Sequence, residues 1–113
     1  MQEGEAIKSI DENIIRKAVE ILFKEAPGAK VILFGSHARG DAKSDSDIDF
    51  LVVIPGVVDC FVEMARLAEI LGRNLIPADV VVMSEEKFNY WRDVPNTLAY
   101  RAMKEGRIYE PVV

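Results

Sequence analysis

Three short apolar runs, separated by longer stretches with helical spacing, set the strongest limit on the fold of this chain. The runs cover residues 30–34, 47–54 and 78–83, and they are rich in the β-branched and aromatic residues that favour strands. Apolar residues at three- and four-residue steps predict helices between and around them, at residues 11–26, 59–73, 84–91 and about 95–105. Strands mixed with helices predict an α/β (α+β) domain, a small mixed β-sheet flanked by helices.

Polar residues and glycines indicate where these elements begin and end. Asp11 and Ser84 are predicted N-caps, because their side-chain oxygens can accept hydrogen bonds from the first helical turn. Ser36 is predicted to cap a single helical turn over residues 37–39, and residues 107–109 are predicted to form a short closing strand. The second long helix has a polar side. The residues expected to face away from that side are Phe61, Met64, Ala68 and Leu71.

Length and charge narrow the class of protein. The 113 residues predict one domain over 1–113, with its core at about 10–110 and a loose lead-in over 1–9. With 14 Lys plus Arg against 19 Asp plus Glu, the net charge of −5 argues against long nucleic acid as the main partner. The start lacks the features of a signal peptide and no stretch reaches the about 20 apolar residues of a membrane helix, so a cytoplasmic location is expected. The one cysteine, Cys60, excludes an intrachain disulfide and is expected to be buried in packing.

Three aspartates give the strongest indication of chemistry. Asp47 and Asp49 lie two residues apart on a predicted strand, so both side chains are expected on one face of the sheet. Like charges placed there repel each other, an arrangement that a divalent cation between them would stabilise. Asp79 opens the third strand and reaches the same cluster if that strand neighbours the second. Two metal ions about 3.5–4 Å apart could then assist a displacement at phosphorus. The alternative for each acid is a solvated turn, a helix cap or an ordinary strand entry.

The dipeptide Gly35-Ser36 at the end of the first strand favours a metal and phosphate site over a set of solvated or capping acids. A glycine lets the backbone approach a ligand closely, and a serine at the start of a helical turn offers N–H groups and a hydroxyl to phosphate. Arg39, one turn further on, can reach the same phosphates. His37, the only histidine, is expected to be a solvated loop residue, with a contact to phosphate or to the acceptor as the alternative.

The spacing of these residues resembles a known family. Gly35-Ser36, followed after ten residues by Asp47-Ile48-Asp49, is similar to the pattern G-S-x(10)-D-x-D of the minimal nucleotidyltransferases, members of the polymerase-β-like nucleotidyltransferase superfamily. Residues 78–81 resemble the strand that carries the family's third acid. The sequence differs from many relatives at His37, where they carry Arg. The resemblance covers about residues 10–110.

This resemblance implies a nucleotidyltransferase fold and the transfer of AMP from ATP onto a hydroxyl, with release of pyrophosphate and two Mg²⁺ ions as cofactors. It implies that Asp47, Asp49 and Asp79 are the catalytic and metal-binding residues, and that Asp79 also takes the acceptor proton. Gly35 and Ser36 would hold the β- and γ-phosphates. Arg39 is the further nucleotide-binding residue expected from the sequence.

The acceptor is expected to come from another macromolecule, because about 60 residues follow the acid pair and all are needed to finish the domain. Stand-alone minimal domains resemble the antitoxins of HEPN-type helical toxins, in which AMP is transferred to a toxin tyrosine (AMPylation). The implied function is a protein adenylyltransferase that acts as an antitoxin in a hetero-oligomer. The alternatives are a module that neutralises its partner by contact, and a small-molecule nucleotidyltransferase with a dimer-built pocket.

The last quarter of the chain is rich in large apolar side chains. Those expected to face the core are Phe88, Leu98 and Ala102. Either the remaining residues complete the core, or Tyr90, Trp91 or Tyr100 is exposed and contributes to a partner interface.

Overall fold

Five helices and four strands lie within residues 11–110, the part of the chain that the computed structural model describes. Their bounds are α1 (Glu12–Glu25), β1 (Lys30–Phe34), α2 (Ser36–Arg39), β2 (Ile48–Ile54), α3 (Cys60–Arg73), β3 (Ala78–Ser84), α4 (Glu85–Trp91), α5 (Leu98–Glu105) and β4 (Arg107–Tyr109). This order confirms the fold class expected from the sequence, including the short closing strand. The expected lead-in at residues 1–9 lies outside the described residues. None of these five helices has the length and hydrophobicity that crossing a bilayer requires.

The four strands form one mixed sheet in the order β3-β2-β1-β4. β1 is antiparallel to both β2 and β4, whereas β2 and β3 are parallel. A parallel pair needs a crossover connection, and α3 provides it. Consequently the carboxyl end of β1 and the amino ends of β2 and β3 lie at the same edge of the sheet.

Helices cover both faces of the sheet, and the alternation along β2 separates two hydrophobic clusters. Phe50 belongs to the larger cluster, which includes buried residues of α1 and α3. Leu51 belongs to the second cluster, together with Phe88 of α4 and buried alanines of α5. Because successive side chains of a strand point to opposite faces, Asp49 lies on the face that α4 and α5 cover.

Two of the predicted N-caps are confirmed, and the third is wrong. Asp11 and Ser84 each accept a hydrogen bond of 3.1 Å from the backbone N–H three residues further on. Ser36 is the first residue of α2, and the cap position is Gly35, which makes no side-chain bond. The chain turns one residue earlier than predicted because Gly35 adopts a φ of 76°, a conformation that favours glycine. The last helix begins at Leu98, after a cap by Thr97.

The prediction of which side of α3 faces the core is partly wrong. The stripe that contacts the core consists of Cys60, Met64, Leu67 and Leu71. Leu67 and Leu71 are buried, and Cys60 is partly buried against them, in keeping with the packing role expected of it. Phe61 is 80% exposed and Ala68 is also exposed, so these two residues lie outside the stripe.

Candidate active site

The strand register places Asp49 and Asp79 side by side. They are paired positions on the parallel strands β2 and β3, which lie about 4.8 Å apart in a typical sheet, and both side chains leave the same face. The sequence-based condition that the third strand neighbour the second is therefore met. Asp47 lies immediately before β2 rather than within it, because the strand begins at Ile48. Asp49 is partly buried, whereas Asp47 and Asp79 are exposed.

The environment of Asp49 disfavours its ionised form. Burial raises the pKa of Asp49, and the neighbouring charges of Asp79 and then Asp47 raise this pKa further. His37 and Arg101 act in the opposite direction on the same pKa. The charges of Asp79 and Asp47 therefore lie close enough to Asp49 to disfavour its ionisation. A cation held between them would relieve this repulsion.

Gly35 allows the Asp49 carboxylate to approach the end of β1. A Cβ atom at position 35 would overlap Oδ2 of Asp49 and lie 3.1 Å from its Cγ. The backbone of Gly35 also has φ 76° and ψ −158°, a region that is essentially restricted to glycine. The carboxylate therefore occupies the space that any other residue at this position would fill. The sequence predicted a close approach of a ligand at Gly35, and the structure shows a close approach of Asp49.

His37 fastens α2 to the loop that precedes β2. Its Nε2 atom lies 2.9 Å from the carbonyl oxygen of Ser46, and this contact requires Nε2 to carry the hydrogen. His37 is half-buried, so the expectation of a solvated loop residue is wrong. The competing hydrogen bond was not visible in the sequence because His37 and Ser46 are nine residues apart in an irregular segment. Ser36 is half-buried at the start of α2, next to Gly35, and its role in binding phosphate stays a prediction.

Arg39 is held by two carboxylates. Its Nε donates to Asp41 at 3.3 Å, and its Nη1 donates to Glu105 at 3.2 Å. The hydrogen bonds to Asp41 and then Glu105 raise the pKa of Arg39 above its ordinary value. Glu105 also accepts from the backbone N–H of Gly35 at 2.9 Å. The sequence analysis did not identify Glu105 as a site residue. The one signal in the sequence was Gly106, which follows Glu105 and marks the end of α5.

The donor set at this edge of the sheet fits Mg²⁺. Carboxylate oxygens are the ligands that Mg²⁺ prefers, and this ion commonly uses one or two of them together with water and substrate phosphates. Within residues 11–110, no three His, Cys, Asp or Glu side chains converge as a ready-made metal cage. Asp49 and Asp79 are paired across β2 and β3, and Asp47 lies two residues before Asp49, so all three offer hard oxygen ligands of the kind used by an ion that arrives with a nucleotide.

The fold is that of a small α/β domain with a mixed sheet, and the acids that form its candidate site lie at one edge of that sheet. Residues 13–109 match the family of the nucleotidyltransferase domain, and the chain belongs to that family. The match covers almost the whole described part of the chain, including every predicted site residue. The family expected from the spacing of Gly35, Ser36 and the aspartates is thereby confirmed.

Relatives and solved structures agree with this family. The chain is 34% identical over 100 residues to the "Putative protein adenylyltransferase MJ0604" of Methanocaldococcus jannaschii, and the match covers 87% of this chain and 96% of that protein. Among solved structures, a toxin–antitoxin crystal structure with AMP-PNP shares 25% identity and a TM-score of 0.62, over 88% of this chain and 72% of that one. A mutant of the toxin–antitoxin MntA-HpeT has the same fold at 23% identity, with a TM-score of 0.60 over the same shares of the two chains.

Proposed function

We propose that this nucleotidyltransferase transfers AMP from ATP, in a Mg²⁺-dependent reaction, to a tyrosine hydroxyl of a HEPN-type helical toxin and acts as its antitoxin in the cytoplasm. The observation that carries the proposal is the pairing of Asp49 with Asp79 beside Gly35, at the edge where β1 ends. The similarity to a relative named for protein adenylylation, and to a toxin–antitoxin structure with an ATP analogue, supports the choice of acceptor and nucleotide.

Each residue of the site has a defined part in this reaction. Asp47 and Asp49 would hold Mg²⁺, with Asp79 as a third ligand, and the bound ions would neutralise charge on the phosphates. Ser36 and Arg39 would bind the phosphate chain. The acceptor oxygen forms a bond to the α-phosphorus, the bond from that phosphorus to the pyrophosphate oxygen breaks, and the hydroxyl proton passes to Asp79. Most of the rate enhancement would come from positioning and charge stabilisation.

We expect the mass of a purified HEPN-type partner to rise by one AMP group per modified tyrosine after incubation with this protein, ATP and Mg²⁺. Intact-mass spectrometry measures the shift, and peptide fragmentation assigns it to a residue. The matched controls omit Mg²⁺ or replace ATP by its α,β-methylene analogue, which keeps the phosphate chain but carries carbon in place of the α–β bridging oxygen that the transfer must break.

Two other functions give different results in the same experiment. A module that neutralises its partner by contact leaves the partner's mass unchanged while forming a stable complex with it. A small-molecule nucleotidyltransferase leaves the partner unchanged and unbound. Either result contradicts the proposed protein acceptor.

The surface on which the partner would dock lies on α4. Tyr90 is 68% exposed and Trp91 is 40% exposed, and their rings meet edge to face with centroids 4.8 Å apart. The predicted inward residues Phe88, Leu98 and Ala102 do contact the second hydrophobic cluster. Of the two alternatives that the sequence left open for these side chains, the structure therefore favours exposure, at Tyr90 and Trp91. Because α4 and α5 cover the sheet face on which Asp49 lies, a partner on this surface is on the same side of the sheet as the acids.

Replacing Tyr90 by Ser together with Trp91 by Gln should weaken partner binding by about 30-fold or more, since exposed aromatic anchors commonly contribute at least about 2 kcal/mol to an interface. Isothermal titration calorimetry measures the affinity, and circular dichroism confirms the fold. Phe61→Ser is the matched control, because Phe61 is equally apolar and exposed but belongs to α3 on the opposite face. Undiminished affinity of the double variant would place the docking surface elsewhere.

A further inference from the structure

The end of α5 is fixed tightly against β1. Gly106 follows Glu105, and a Cβ atom at position 106 would lie 2.7 Å from both the carbonyl oxygen of Leu33 and Cγ2 of Ile32. The next residue, Arg107, begins β4 and pairs with Leu33. Glu105 is thus anchored by a close helix–strand contact and by strand pairing on its carboxyl-terminal side. Its backbone has little freedom to move relative to the end of β1.

The Glu105 side chain connects this anchored point to the turn at Gly35. Its Oε2 atom accepts from the Gly35 N–H at 2.9 Å and from Arg39 Nη1 at 3.2 Å, and its Oε1 lies 3.4 Å from the same Nη1. The side chain of Glu105 is only 18% exposed, while that of Arg39 is 45% exposed. Hydrogen bonds with an ionised partner are stronger than neutral ones, and partial burial protects them from screening.

These bonds determine which donors of the site remain free. The Gly35 N–H is already occupied, so Gly35 serves the site by making room for Asp49 rather than by donating to phosphate. In Arg39, Nε and Nη1 donate to Asp41 and Glu105, whereas Nη2 donates to no other group in residues 11–110. Because the guanidinium is planar, fixing two of its nitrogens also fixes the direction of the third. The free edge of Arg39 is therefore preoriented.

We propose that Glu105 is a positioning residue of the nucleotide site, which holds the Gly35 turn against Asp49 and fixes the free edge of Arg39 for the phosphate chain. Glu105 itself touches neither the nucleotide nor the acceptor. The role assigned to Arg39 rests on the proposed function, whereas the hold on the Gly35 turn does not.

Two variants of Glu105 and one control test this role. Glu105→Ala removes both bonds. Glu105→Gln keeps an acceptor oxygen for the Gly35 N–H but removes the charge that holds Arg39. Glu12→Ala is the control, because it breaks another ion pair of this end of the chain, between Glu12 and Arg107 at 3.1 Å, which is more exposed and reaches neither Gly35 nor Arg39. The two readouts are the hydrogen-exchange rate of the Gly35 amide, measured by NMR, and the Kd for Mg²⁺–AMP-PNP, measured by calorimetry.

In Glu105→Ala we expect the Gly35 amide to exchange about tenfold faster and the Kd to rise about tenfold, as the loss of a charge-assisted hydrogen bond predicts. Glu105→Gln should leave the exchange rate near that of the wild type and raise the Kd by less. Glu12→Ala should change neither quantity. A Kd that is unchanged in both Glu105 variants overturns the proposal, as does unchanged Gly35 exchange in Glu105→Ala. If Glu105→Ala does not fold, the Kd of Glu105→Gln decides alone.

Failure of the proposed function gives a distinct pattern. A wild-type protein that does not bind Mg²⁺–AMP-PNP contradicts nucleotide transfer, and with it the role of Glu105 toward Arg39. The exchange rate of the Gly35 amide still decides whether Glu105 holds the turn.

Discussion

Asp49→Asn should lower AMP transfer by roughly 10³-fold or more and at the same time raise the melting temperature of the metal-free protein. The loss of activity follows because a metal-binding carboxylate contributes several kcal/mol to transition-state stabilisation, and each 1.36 kcal/mol is about a factor of ten in rate. The gain in stability follows because burial, Asp79 and Asp47 together raise the pKa of Asp49. Above the folded pKa the ionised carboxylate is less favourable in the folded protein than in the unfolded chain, and the neutral amide removes this cost.

The pH dependence has a definite sign. A carboxyl group whose pKa is higher in the folded state binds its proton more tightly there than in the unfolded chain. The penalty is absent below the unfolded pKa, grows as the pH rises through the folded pKa, and is complete above it. The melting temperatures of wild type and Asp49→Asn should therefore converge in acid and separate toward neutral pH. Differential scanning calorimetry over a pH series measures both curves.

Mg²⁺ and a neighbouring acid supply the controls for this result. Mg²⁺ with AMP-PNP should raise the melting temperature of the wild type, because a ligand that binds only the folded state stabilises it, and should have much less effect on Asp49→Asn. Asp45→Asn changes an exposed acid of the preceding loop and should alter neither transfer nor stability. Asp79→Asn should reduce transfer strongly with a smaller change in stability, since Asp79 is exposed. Wild-type turnover by Asp49→Asn would contradict the site assignment.

The sequence predicted that Asp49 and Asp79 each lie at the start of an apolar strand, but it left open whether those strands are neighbours. The structure supplies that step, because β2 and β3 form a parallel pair in which Asp49 and Asp79 are partners. The same patterns could not orient α3 correctly. Two apolar stripes overlap on that helix and share Met64 and Leu71. In the structure the stripe that contains Leu67 faces the core, and the stripe that contains Ala68 does not. Burying the large side chain of Leu67 removes more apolar area from water than burying Ala68 would.

Glu105 shows that local sequence patterns do not predict contacts between residues that are far apart along the chain. It accepts a hydrogen bond from Gly35, which is 70 residues away along the chain. A glutamate in the last turn of a helix is ordinarily a solvated residue in an unfavourable position relative to the helix dipole. The contact of α5 with β1 and the pairing of β4 with β1 bring it to the site. The expectation that His37 is solvated was wrong for a similar reason. Its hydrogen-bond partner, Ser46, is brought close by the conformation of an irregular loop, which no periodic sequence pattern predicts.

Gly35→Ala should abolish transfer and destabilise the fold by about 2 kcal/mol or more. One part of the cost is backbone strain, because φ 76° with ψ −158° is a region that alanine occupies at a cost of about 1–3 kcal/mol. The other part is steric, since the new methyl group would overlap the Asp49 carboxylate. Whichever group gives way, Asp49 leaves its place beside Asp79 and the metal-binding set is lost. Denaturant unfolding measures the stability, and calorimetry with Mg²⁺–AMP-PNP measures the site.

Two further variants separate strain from overlap. Gly56→Ala is the matched control, because Gly56 also has a positive φ, of 70°, but a Cβ there would meet nothing within 4 Å. It should lose stability through strain alone and keep its affinity for the nucleotide. In the double variant Gly35→Ala with Asp49→Ala the overlapping carboxylate is gone. The destabilisation should then be smaller than the sum of the two single changes, because residues in direct contact do not act additively. Strict additivity would show that Gly35 is required for its backbone conformation and not for the space it leaves to Asp49.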